Sequence, residues 1–169
     1  DYFNVQMCYH DIPERLNPFD YETFDKNPSK GYAVVTNIET GLAEYLPMKN
    51  MHRNIDAVRA SASMPLVSRP VEINGKLYLD GGLADSIPLL HAVTDGCRKN
   101  VVVMTKETGY RRVQPKHLEL IKARYAKYPK VYELMANRAA AYNQQLDYLE
   151  AEVKNGTAFL IQPSHPNEV

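Results

Sequence analysis

After Pro129 the chain runs to Asn155 without an internal glycine or proline, and Val131, Met135, Ala139, Tyr142, Leu146, Leu149 and Val153 recur at helical spacing as one apolar stripe. Asn155-Gly156 supplies the stop signal. A helix of this length is stabilised mainly by burying its stripe, so the rest of the chain has to provide a layer for it to cover.

That layer is read from short unbroken apolar runs. Tyr32 to Ile38 is mainly β-branched or apolar, and Val101 to Thr105 and Ala158 to Ile161 are so throughout, the pattern of strands covered on both faces. Helical spacing separates them: Met51, Ile55, Val58 and Ala62 fall four, three and four residues apart, and a shorter candidate covers residues 115–127. Pro88 to Val93 predicts a short helix entered from Ser86 as N-cap, with the proline in its first turn. Alternation of this kind, without repeats or a linker, predicts one α/β unit, a three-layer sandwich with a mostly parallel central sheet.

Composition narrows the function classes. Of 169 residues 44% are apolar and the formal charge is zero, so nothing draws the whole chain toward nucleic acid. Cys8 and Cys97 lack metal-ligand spacing, and the histidines His10, His52, His91, His117 and His165 include no i, i+4 pair, so neither a metal nor another cofactor is expected. Free thiols fit a reducing, cytoplasmic setting. No apolar run approaches the roughly 20 residues that span a bilayer, and the polar start Asp1-Tyr2-Phe3-Asn4 is not a signal peptide.

Chemistry is carried by Asp80-Gly81-Gly82, which closes the hairpin Val71 to Leu79. An acid at a strand end, beside backbone that carries no side chains, can be approached closely by a substrate or a second segment. Together with Ala60-Ser61-Ala62-Ser63-Met64-Pro65 and the spacing Gly75, Tyr78, Asp80-Gly81-Gly82, the block resembles the second signature of the patatin-like phospholipases: A-S-A-x-x-P, a proline-containing turn, then G-x-x-Y-x-D-G-G. Thr36 to Gly41, Thr105 to Arg112 and Phe159 to Pro166 are similar to a bacterial branch of that family, so the resemblance extends over most of the chain.

The resemblance implies a serine acyl hydrolase acting on lipid esters, phospholipids or lysophospholipids, through a Ser-Asp dyad. Asp80 takes the place of the dyad acid, and Gly81 and Gly82 shape its loop. With no histidine to relay the proton, the carboxylate itself takes it from the serine and returns it to the leaving alcohol. A carboxylate is a poor base, so geometry and oxyanion donors must supply most of the rate. The family's nucleophile motif Gly-x-Ser-x-Gly and its glycine-rich oxyanion loop do not occur in this sequence. The chain therefore reads as the C-terminal portion of a single patatin-like domain, incomplete at its N-terminal side and inert by itself. An unpaired sheet edge would then invite self-association.

Rival residues have plainer readings. Asp85, ahead of Ser86-Ile87-Pro88, suits the start of a helix, and Ser61 and Ser63 suit tight packing at a helix end. Arg111, Arg112, Lys116, Lys122, Arg124 and Lys127, interleaved with tyrosines, form either a solvated face or a surface for peripheral contact with anionic lipid. Two other classes stand behind the hydrolase. One is a non-catalytic lipid-binding or protein-interaction module of the same fold; the other is a nucleotide-binding domain, disfavoured because no phosphate-binding glycine loop is present.

Overall fold

The computed structural model describes residues 4–116 and 118–165, so His117 and Pro166, both named above, lie outside it. Contacts divide the chain into two compact units, residues 1–85 with 117–135, and residues 86–116 with 136–169.

The first unit is built on a four-stranded sheet, β1 (Tyr32–Asn37), β2 (Ala43–Pro47), β3 (Val71–Ile73) and β4 (Lys76–Asp80), in the spatial order β2-β1-β4-β3. Every neighbouring pair is antiparallel. The mixed α/β class therefore holds, but the mostly parallel sheet expected of these strands is not what they form. Two tight hairpins account for this: β1 turns into β2 through Ile38 to Leu42, and β3 turns into β4 through Asn74-Gly75. Asn74 and Gly75 have φ of 52° and 76°, the pair of left-handed residues that a two-residue hairpin turn needs.

Helices cover both faces of this sheet. On one face α2 (Met51–Ser61) places Ala60 against Val35, Val71 and Tyr78. On the other, Ile38, Leu79 and Leu83 pack with Ile121 and Tyr125 of the α4 region (α4, Leu118–Arg124) and with Val131 at the start of α5 (Pro129–Lys154). Two elements lie ahead of the sheet: a π-type helical segment, Met7–Leu16, which contains Pro13, and α1 (Tyr21–Lys26), capped by Asp20 on the Thr23 N–H at 2.9 Å.

The second unit holds α3 (Leu89–Thr94), the remainder of α5, and the parallel pair β5 (Asn100–Val103) and β6 (Ala158–Ile161). Tyr142, Leu146 and Leu149 of the α5 stripe bury against Ile87, Leu89 and Ala158, with Val102 and Leu160 beside them. These strands are covered on one face only: Val101, Val103, Phe159 and Ile161 are 67, 69, 65 and 48% exposed. The unbroken apolar runs that read as doubly covered strands therefore leave one bare apolar face on this pair.

Candidate active site

Asp80 is the last residue of β4, opposite Val35 of the central strand β1. Its N–H donates to the carbonyl of Ser63 at 2.9 Å, which ties the strand end to the residue after the C-cap of α2. Its Oδ1 accepts the N–H of Gly82 at 2.7 Å, a local turn that orients the carboxylate over the single 3-10 turn Gly81–Leu83. Oδ2 carries no hydrogen bond among the described residues, and Asp80 is partly exposed. One oxygen is thus held and the other remains available to accept a proton.

Two residues fix this turn from β1. The fully buried Thr36 hydroxyl donates to the Asp80 carbonyl at 2.8 Å and accepts the N–H of Ala84 at 3.3 Å, so one oxygen clamps both ends of the loop. Gly81 lies flat against Val34: a Cβ there would sit 2.2 Å from the Val34 carbonyl oxygen and 2.9 Å from its Cβ. The bareness of Gly81 is therefore required by this chain's own central strand. Gly82 is partly exposed and contributes the N–H that holds Asp80.

The other carboxylates near the loop are committed elsewhere. Tyr45 of β2 donates its hydroxyl to Asp85 Oδ2 at 2.5 Å, which anchors Asp85 to the sheet and not to a helix start. The N–H groups of Ser86 and Ile87 are instead satisfied by the side-chain oxygen of Gln145, at 3.1 and 3.0 Å, and α3 begins at Leu89, one residue after Pro88. Ser63 donates its hydroxyl to the Arg59 carbonyl at 2.7 Å, in keeping with a packing role at the end of α2.

On the same side of the sheet as Val35, by register, lies a polar cluster that sequence reasoning missed. Glu44 accepts from Asn37 Nδ2 at 2.8 Å, from the Tyr78 hydroxyl at 2.8 Å and from Lys76 Nζ at 3.1 Å. Burial works against the Glu44 charge, but the hydrogen bonds from Asn37, Tyr78 and Lys76 together outweigh it and hold the carboxyl below its usual range. Burial first, then the bond to Glu44, pushes the Tyr78 hydroxyl up to about 12.

The basic residues do not fall into one unit. Lys122, Arg124 and Lys127 belong to the first and are exposed; Arg111, Arg112 and Lys116 belong to the second. Arg111 is engaged by Asp147 at 2.6 Å and Glu150 at 3.0 Å, and the Arg112 guanidinium lies 4.6 Å from the centre of the Tyr142 ring.

Compared with known families, residues 7–93 match the model for patatin-like phospholipases, a span that contains Ala60 to Pro65, Thr36 and the whole Asp80 loop. The chain belongs to the patatin-like phospholipase family. Residues 128–169 match a second model, a domain of unknown function (DUF6363), so all of α5 and all of β6 lie in a segment distinguished from the patatin-like part. Among curated proteins, the chain is 39% identical over 62 residues to the uncharacterized protein YjjU of Escherichia coli strain K12. That stretch covers 36% of this chain and 17% of the relative. Both free cysteines, Cys8 and Cys97, are exposed, and no described helix is long and apolar enough to cross a membrane.

Proposed function

We propose that this chain supplies the general base of a lipid acyl ester hydrolase, with Asp80 as the acid of a Ser-Asp dyad and the serine contributed by a segment N-terminal to this chain. The observation that carries the reading is the Asp80 carboxylate: one oxygen is held by Gly82, the other has no hydrogen bond among the described residues, and the loop is braced by Thr36 inside the span that matches the patatin-like model. In the first half-reaction Oδ2 of Asp80 takes the serine proton as the hydroxyl attacks the ester carbonyl, and returns it to the departing alcohol. In the second half-reaction the same oxygen takes a proton from the water that cleaves the acyl-serine, and the serine leaves protonated.

In this reading the chain is the C-terminal portion of one patatin-like domain, whose remaining strands complete a mostly parallel three-layer sandwich. The parallel pair β5–β6, bare on one face, supports the presence of further covering chain, because parallel sheets are normally covered on both faces. Alone, the chain would cover that face by self-association. Exposed Lys116, Arg124 and Lys127 support peripheral contact with anionic lipid; Arg111, Arg112 and Lys122, with their cations already engaged, contribute less.

The test is hydrolysis of p-nitrophenyl butyrate by the protein carrying the upstream segment and by the 169-residue chain alone. Activity confined to the longer protein is expected. A longer protein that is folded and inert toward short and long acyl esters alike would favour the non-catalytic reading.

A further inference from the structure

We propose that the second unit binds a single-chain amphiphile with an anionic head, of the fatty-acid type, in a cavity between α5 and the carboxyl ends of β5 and β6. The cavity measures about 330 Å³ and lies wholly within that unit. The inference does not rest on the reading of Asp80, which belongs to the other unit.

Three observations carry it. The first is the wall: Tyr142, Leu146, Leu149 and Val153 of α5 face Met104 and Leu160 at the strand ends, an apolar surface of the kind that takes up an acyl chain. Its position, beyond the carboxyl ends of parallel strands, is where open α/β sheets hold ligands.

The second is the rim, which is preformed. Thr108 donates its N–H to the Pro163 carbonyl at 3.1 Å, and the Gln162 side-chain amide donates to the Thr108 hydroxyl at 2.6 Å. Tyr110 meets Tyr142 edge-on at 6.0 Å. The loop after β5 is thereby fastened to the segment after β6 and to the helix, and the opening is held without a ligand.

The third is charge. Lys106 and Lys154 stand at the rim without an ion pair among the described residues; Lys106 lies over the Tyr110 ring at 5.3 Å. Of the two rim acids, Glu150 shares Arg111 with Asp147, at 3.0 and 2.6 Å, so the rim is close to neutral overall and what it offers a ligand is the two lysine ammonium groups. An apolar pit beneath two ammonium groups that have no ion pair of their own among the described residues selects a chain whose anionic head can pair with them over neutral or cationic chains of the same length.

The test uses the 169-residue chain and laurate below its micelle-forming concentration, with dodecanol and dodecyltrimethylammonium as neutral and cationic chains, followed by calorimetry and methyl NMR. Saturable laurate binding at one site per chain is expected, with shifts on the Leu146, Leu149 and Leu160 methyls. Lys154→Glu, an exposed substitution, should weaken laurate about fivefold or more while leaving dodecanol unchanged, and Val153→Trp should block both. Lys106→Glu serves as the second charge variant should Lys154→Glu alter the melting profile. Absence of saturable binding, equal binding of the cationic chain, or shifts confined to Val101 and Val103 on the bare sheet face would overturn the proposal.

Discussion

The hydroxyl of Thr36 and the carbonyl of Asp80 are joined by a 2.8 Å hydrogen bond across 44 residues of sequence, and the same hydroxyl receives the Ala84 N–H. The bond places the candidate base relative to the central strand, not merely relative to its own turn. Thr36→Val keeps the shape and removes both bonds in a fully buried position, so it should cost about 1 to 3 kcal/mol in urea unfolding. Thr36→Ser retains the oxygen and should recover most of the loss. Equal stability of the valine variant would mean that the loop does not depend on this clamp.

Gly81→Ala is expected to be far more damaging than an alanine at Gly75. The added methyl would meet backbone of Val34 at 2.2 Å, which only a shift of β1 or of the loop can relieve, and about 3 kcal/mol or more of destabilisation follows. At Gly75, where nothing lies within 4 Å, only the positive φ opposes a side chain, at about 1 to 2 kcal/mol. Melting temperatures of the two variants check the order.

Removing the Glu44 charge should cost stability in a pH-dependent way. The folded carboxyl titrates below its ordinary value of 4.5, so its contribution is present above that pH and is lost as the pH falls through the lower folded value. Glu44→Gln should therefore be less stable than the parent at neutral pH, with the gap closing under acid. Urea unfolding at a series of pH values, showing a gap constant down to pH 3, would contradict the network.

Tyr78 gives the alkaline counterpart. Raised from 10 to about 12, its hydroxyl contributes stability that is complete below pH 10 and is lost as the pH rises through about 12. Burial raises Tyr9, Tyr21 and Tyr142 as well, so spectrophotometric titration should show several late tyrosines, of which the one removed by Tyr78→Phe ionises earlier in Glu44→Gln. That tyrosine unchanged in Glu44→Gln would remove Glu44 as a cause and leave burial alone.

What could be read before the structure was whatever local chemistry specifies. The β3–β4 hairpin follows from Asn74-Gly75, and α5 from an uninterrupted stripe with its glycine stop, because each signal lies within a few residues of what it controls. Strand β2 was not recognised: Ala43 to Pro47 carries only a weak alternation, and its place is set by pairing with β1. The antiparallel sense of β1 toward its neighbours is hidden for the same reason, since apolar runs report burial and not the sense of their partners. Asp80, Gly81 and Gly82 were legible as a motif, whereas the bonding roles of Thr36 and Glu44 were not, because Asp80, Tyr78 and Lys76, which they meet, lie more than thirty residues away. Gln145 was equally hidden, reaching 59 residues back to the Ser86 N–H.

The most direct measurement is kcat for ester hydrolysis in the longer protein with Asp80 replaced by asparagine, which keeps the shape and an oxygen for the Gly82 N–H but removes the basic site. A fall on the order of 10² to 10⁴, with the melting temperature unchanged, is expected when a general base is lost. Hydrolysis at the parent rate in Asp80→Asn would contradict the assignment of Asp80 as the base.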